Sequence, residues 1–127
     1  MLLAPKTVMK NFFILLLLSG LLLVEATADY QRHFSIRELD SVPKRIDGKP
    51  PVYPPHLKAG HVEGNLKLVV VINESGDVEV IDVIEASHLS FIVPAIRSAE
   101  SGKFTPPMKD GIPVKAKYIF PFNFRLR

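Results

Sequence analysis

From Asn65 to Ile72 the apolar residues fall on alternate positions. Leu66, Leu68, Val70 and Ile72 share one face; Lys67, Val69 and Val71 share the other. Period two predicts a strand buried on at least one face. Asn73-Glu74-Ser75-Gly76 then reads as a tight hairpin loop in which Gly76 is free to take positive φ. A second strand follows from Val78 to Ile84. Alternation fails inside it: Val78, Ile81 and Val83 share a face only if an extra residue bulges near Glu79-Val80. The last strand runs from Val114 to Leu126. Val114, Ala116, Tyr118, Phe120, Phe122 and Phe124 lie on one face, and Lys115, Lys117, Ile119, Pro121 and Asn123 on the other.

Helical signals separate these strands. Pro50-Pro51-Val52-Tyr53-Pro54-Pro55 is stiff and extended. Pro is tolerated in a first helical turn, so Pro55 to Ala59 reads as a short helix stopped by Gly60, with Leu57 inward. Ser90 to Ser101 carries a narrow stripe of Ile92, Ala95, Ile96 and Ala99, with Ser90 as its cap. A helical crossover returns the third strand parallel to the second, and an antiparallel sheet survives only if the third strand lies beside the first. The expected fold is α+β: a three-stranded antiparallel sheet in order 2-1-3, two helices packed on its Leu/Phe face, and the third strand at an edge.

The N-terminus follows another pattern. Lys6 and Lys10 precede an apolar run from Phe12 to Val24, and Ala26-Thr27-Ala28 supplies small residues. That order is the order of a secretory signal. As helix the run spans about 20 Å, short of a bilayer core. Residues 1–28 are therefore expected to be a cleaved signal peptide, the alternative being a short membrane anchor. Residues 29–49 form an extended arm and residues 50–127 the domain. Localisation is expected in the periplasm, with membrane attachment only if the N-terminal segment is retained.

Composition narrows the function. The chain has no Cys, so neither disulfides nor thiolate metal sites arise. Without Lys6, Lys10 and Glu25 the net charge is about +2, too weak for a nucleic-acid surface. His61-x-Glu63 lacks the converging ligands of a metal site. Ser87-His88 and Ser90 read as caps rather than a catalytic set. No cofactor, metal or catalytic residue is expected. Pro121 inside a strand marks an edge, where it blocks unwanted pairing or sets the register of an incoming strand. Val69, Val71, Val80, Ile84 and Ile119 would lie on the sheet face away from the helices, covered by the arm or by a partner.

These motifs stand in a specific order: Tyr53-Pro54, Glu63-Gly64, an alternating strand, Gly76-x-Val78, a helix, Phe104-x-Pro106, Gly111-x-Pro113-Val114 and Phe122-x-Phe124. Over about Pro50 to Leu126 the chain resembles the C-terminal domain of TonB, the energy transducer of Gram-negative envelopes. The resemblance implies a non-catalytic domain in transmembrane transport. Such a domain pairs an edge strand with a short peptide of an outer-membrane receptor, the TonB box, by β-augmentation. Carried onto this sequence, the pairing strand is Tyr118, Ile119, Phe120, Pro121, Phe122, Asn123 and Phe124, with Tyr53 as a neighbouring wall. Another envelope protein, or a second copy in a homodimer that serves as a structural adaptor, is the alternative partner. Two departures bear on energy transduction: the Phe12–Val24 run carries no His, and the arm extends at most about 70–75 Å. A third is Gly102, where the family usually has an aromatic residue.

Overall fold

The central strand is the one with the cleanest alternation. In a computed structural model describing residues 32–127, that strand, β3 (Gly64–Ile72), runs between β4 (Val78–Ala86) and β8 (Lys115–Phe124), antiparallel to both. Leu66, Leu68, Val70 and Ile72 are buried, and they stand opposite Phe122, Phe120, Tyr118 and Ala116 of β8. Cross-strand pairs of aliphatic and aromatic side chains are the unit that holds such a sheet. Two helices, α1 (Pro55–Ala59) and α2 (Ile92–Glu100), contribute Leu57, Ala95 and Ala99 to the same core. Small Ala side chains let α2 lie close against β3 and β4.

The sheet has four strands, not three. Its order is β1-β8-β3-β4, with β1 (His33–Ser35) added in parallel to the outer side of β8. The expected 2-1-3 order of the three long strands holds within it. Three residues without periodicity, paired with residues far along the chain, leave no local trace in the sequence. A short 3-10 turn, Ile36–Glu38, then carries the chain off the sheet. The remaining strands are minor: β2 (Arg45–Asp47) pairs with β5 (Lys103–Phe104), and β6 (Met108–Lys109) with β7 (Ile112–Pro113).

The arm is thus fastened along the domain. The Asp40 carboxylate accepts the backbone N–H groups of Asp110 and Gly111, both at 2.9 Å, and the Asp40 N–H donates to the Met108 carbonyl at 2.8 Å. Lys44 donates its N–H to the Thr105 hydroxyl and accepts the Thr105 N–H at its carbonyl. The bonds from Gly111 and Asp110 hold the Asp40 carboxyl below its usual value of 3.8. Its contribution is therefore complete above that value and disappears as pH falls through the lowered pKa. Acidification through this range should release the Asp110 and Gly111 amides to exchange before the β3 amides are exposed. In Asp40→Ala both should exchange freely at neutral pH, and continued protection in that variant would show the latch lies elsewhere.

Strand β4 bulges, but not where its pattern suggested. Register shifts leave Ile81 and Ile84 as the extra residues, so Val78, Val80 and Val83 face the core and Ile81 is 45% exposed. The core takes Val80 in ordinary alternation with Val78 and expels Ile81. Val80 therefore does not belong to the outer face. Val69 and Val71 on that face are buried, in the central strand, whereas Ile84 and Ile119 are half-exposed. The helix boundary also differs. A 3-10 turn at Leu89–Phe91 precedes α2, and His88 rather than Ser90 caps it, its Nδ1 accepting the Ser90 N–H at 3.1 Å. Gly102 is buried, and a Cβ there would stand 2.9 Å from the Ala99 carbonyl oxygen and 3.1 Å from the Phe104 ring, so this backbone leaves little room for a side chain.

Candidate functional site

Strand β8 has one fully used side and one partly used side. Along β3 the register is continuous from Gly64↔Phe124 to Ile72↔Ala116. On the other side β1 covers only Lys115, Ala116 and Lys117. Among the described residues no strand pairs with that side from Tyr118 to Phe124.

Pro121 fixes which backbone groups face outward there. It stands opposite Lys67 in the β3 register. Lacking an N–H, Pro fits such a ladder only with its nitrogen turned away from the partner strand. Both backbone groups of one residue point the same way in an antiparallel ladder, and successive residues alternate. Ile119 and Asn123 therefore turn outward with Pro121. The edge offers donors at Ile119 and Asn123, and acceptors at Ile119, Pro121 and Asn123. The same period turns Lys115 and Lys117 outward, the residues that flank Ala116 where it meets Phe34.

The side chains divide by face. Tyr118, Phe120 and Phe122 are half-buried and pack against the core, while Ile119, Pro121 and Asn123 are exposed. Tyr118 meets Phe120 edge-on at 5.3 Å, and Phe104 lies against Phe120 at 5.4 Å. A strand laid on this edge would extend an aromatic row on one face and a mixed row on the other. Where β1 leaves the sheet, His33, Ser35, Ile36, Glu38, Lys117, Tyr118 and Ile119 enclose a notch of about 430 Å³. The sequence pointed to the last two of these and gave no sign of the arm residues, which arrive only through tertiary pairing.

Tyr53 stands at the far end of the edge. Its ring meets Phe124 at 5.7 Å and Phe91 at 5.8 Å, both edge-on, and Phe91 stacks on Phe124 at 4.2 Å. The Tyr53 hydroxyl donates to the Val62 carbonyl. Desolvation, then the nearby Glu63 carboxylate, raises the phenol's pKa. Of the residues named for the edge, Tyr53 touches only Phe124 by ring contact, and packing is its visible work. Glu63 accepts the Leu126 N–H at 2.7 Å and meets Arg125 at 3.5 Å, which holds the chain as it leaves β8. That occupies the acid of the His61-x-Glu63 pair. Among the described residues no three His, Cys, Asp or Glu converge as a metal site, and no helix is long and apolar enough to cross a membrane. The Phe12–Val24 segment lies outside the described residues.

Comparison with known proteins bears on the family and the fold. The family model described as Gram-negative bacterial TonB protein C-terminal matches residues 49–126. The solution NMR structure of the Pseudomonas aeruginosa TonB C-terminal domain superposes with a TM-score of 0.59 at 26% identity, covering 76% of this chain and 97% of that one. No curated protein matches the chain. With the family match spanning more than half of its length and the same fold in a solved TonB domain, this chain belongs to the TonB C-terminal family.

Proposed function

We propose that this chain is a periplasmic, non-catalytic binding domain of TonB-dependent transport. It takes up a short peptide of a partner, such as the TonB box of an outer-membrane receptor, as an added strand on β8 from Tyr118 to Phe124. The observation that carries this reading is β1 itself. Three residues of the arm already pair with the same side of β8, so the edge accepts a strand, and its C-terminal part has no partner strand among the described residues. Backbone bonds to Ile119, Pro121 and Asn123 would supply affinity, and the half-buried aromatics beside them selectivity. Export fits the basic, apolar, small-residue order of residues 1–28, with cleavage after Ala28.

Ile119→Pro tests the reading directly. It deletes an outward donor and leaves the β3 ladder's inward bonds in place. One lost hydrogen bond, with an unmet acceptor on the peptide, is worth about 1–3 kcal/mol. Titration with a synthetic receptor-segment peptide should show binding weakened by about fivefold to 150-fold, with an unchanged circular dichroism spectrum. Unaltered affinity in a folded variant would sink the proposal.

Self-association is the second reading, favoured by Ile84 and Ile119, each 49% exposed on the outer face. Ile84→Lys would then yield a monomer from a dimer in sedimentation. Val71 is unsuited to this test, because at 4% exposure a Lys there would disturb the fold itself.

A further inference from the structure

A second concave surface shares no residue with the β8 edge. It lies between the Pro-rich segment before α1 and the outer side of α2. Its volume is about 460 Å³, within the ordinary range of ligand pockets. Val52 and Pro55 form one wall, and Val93 and Pro94 the other. Val52 is 74% exposed and Val93 55%, so the walls present apolar surface to water.

The groove is already built. At one end the Ser98 hydroxyl donates to the Lys49 carbonyl at 2.7 Å, and the Lys49 N–H donates to the Ser101 hydroxyl at 2.9 Å. At the other end His56 Nε2 lies 3.2 Å from the Ser90 hydroxyl. Prolines stiffen the backbone between these clasps. A ligand entering such a site orders little protein, which removes one of the main costs of binding.

Charge says what the ligand is. Lys49 and Arg97 line the groove, and no Asp or Glu does. Both are exposed, and neither pairs with a carboxylate among the described residues. An Arg guanidinium beside an apolar slot is suited to a carboxylate with a hydrophobic neighbour. We infer that this groove docks an acidic–apolar peptide segment of a partner protein, its carboxylate on Arg97 and Lys49 and its aromatic or aliphatic side chain between the valine and proline walls. It would be a second contact, independent of the strand added at β8.

The test uses the full chain, isotope-labelled, and two end-blocked tetrapeptides: Asp-Phe-Glu-Leu, and its neutral counterpart Asn-Phe-Gln-Leu. The acidic peptide should shift the amide resonances of Val93, Arg97 and Val52 saturably. The neutral peptide should bind at least about tenfold more weakly. Arg97→Glu should cause a comparable loss with the rest of the spectrum unchanged, whereas Arg97→Lys should retain part of the affinity. Equal binding of the two peptides would overturn the inference. So would shifts confined to Ile119–Asn123, or no saturable shift at millimolar peptide.

Discussion

Phe91→Ala is expected to lower stability by about 3–5 kcal/mol, the usual cost of removing a fully buried aromatic ring. Phe91 is 0% exposed, stacks on Phe124 and receives Tyr53 edge-on. The space it leaves cannot close easily. Gly64 opposes it: a Cβ there would stand 2.7 Å from the Phe91 ring, so that backbone is already as near as it can come. In a domain of this size each kcal/mol moves the melting temperature by roughly 4–8 °C, so thermal unfolding should shift down by at least about 12 °C. A shift of only a few degrees would show that the cluster is not the centre of the core. The loss should reach the edge too. Phe124 ends β8, and without its stacking partner the C-terminal end of that strand should exchange its amides faster.

Gly76→Ala should cost about 2–5 kcal/mol, and for a different reason. Its φ is +86°, which alone disfavours a side chain by about 1–2 kcal/mol. The added Cβ would also stand 1.9 Å from the Phe104 carbonyl oxygen, and backbone cannot step aside as a side-chain tip can. Gly111 is the control. Its φ is +77°, but nothing lies within 4 Å of its missing Cβ, so Gly111→Ala should cost only the conformational part, about 1–2 kcal/mol. Denaturant unfolding of the pair isolates the contact. Equal midpoints would mean that the Phe104 approach carries no energy. The damage at Gly76 should spread, because Phe104 donates its N–H to the Gly76 carbonyl and Lys103 reaches Asp77 at 2.6 Å. Displacing β5 would free β2, and with it part of the arm.

The long strands were legible because alternation is written locally. Leu66 to Ile72 and Ala116 to Phe124 declare their inward faces without reference to anything else, and Pro121 declares an edge. The α2 stripe and the Leu57 anchor were readable on the same terms. What escaped depends on distant partners. Strand β1 exists only because β8 is there to receive it. Val80 and Ile81 compete for one inward position, and the register with β3 decides between them, not the order of apolar residues in β4. His88 took the cap because its ring nitrogen reaches the Ser90 N–H, an interaction outside the usual list of capping side chains. The groove beside α2 combines residues near 50 with residues near 95, brought together by Ser98 and Ser101, and neither stretch suggests a ligand alone.

The parallel pairing of β1 with β8 also sets an order in time. Residue 33 meets residue 115, and Asp40 meets residues 110 and 111. Chains are made from the N-terminus, so the arm is among the first parts of the described chain to emerge, and its partner is nearly the last. Local hairpin closure between β3 and β4 comes early, and closing so long a loop comes late. Until β8 emerges β1 has no partner strand. The segment that closes last by this route is a three-residue edge strand paired on one side only, so it should be the first to open in native-state exchange, with a free energy well below that of global unfolding. The domain would then pass repeatedly through a form in which the outer side of β8 is bare along its whole length while its pairing with β3 and the core stay intact. A longer unpaired edge would be available as a brief excursion of the folded molecule, with no need to unfold it.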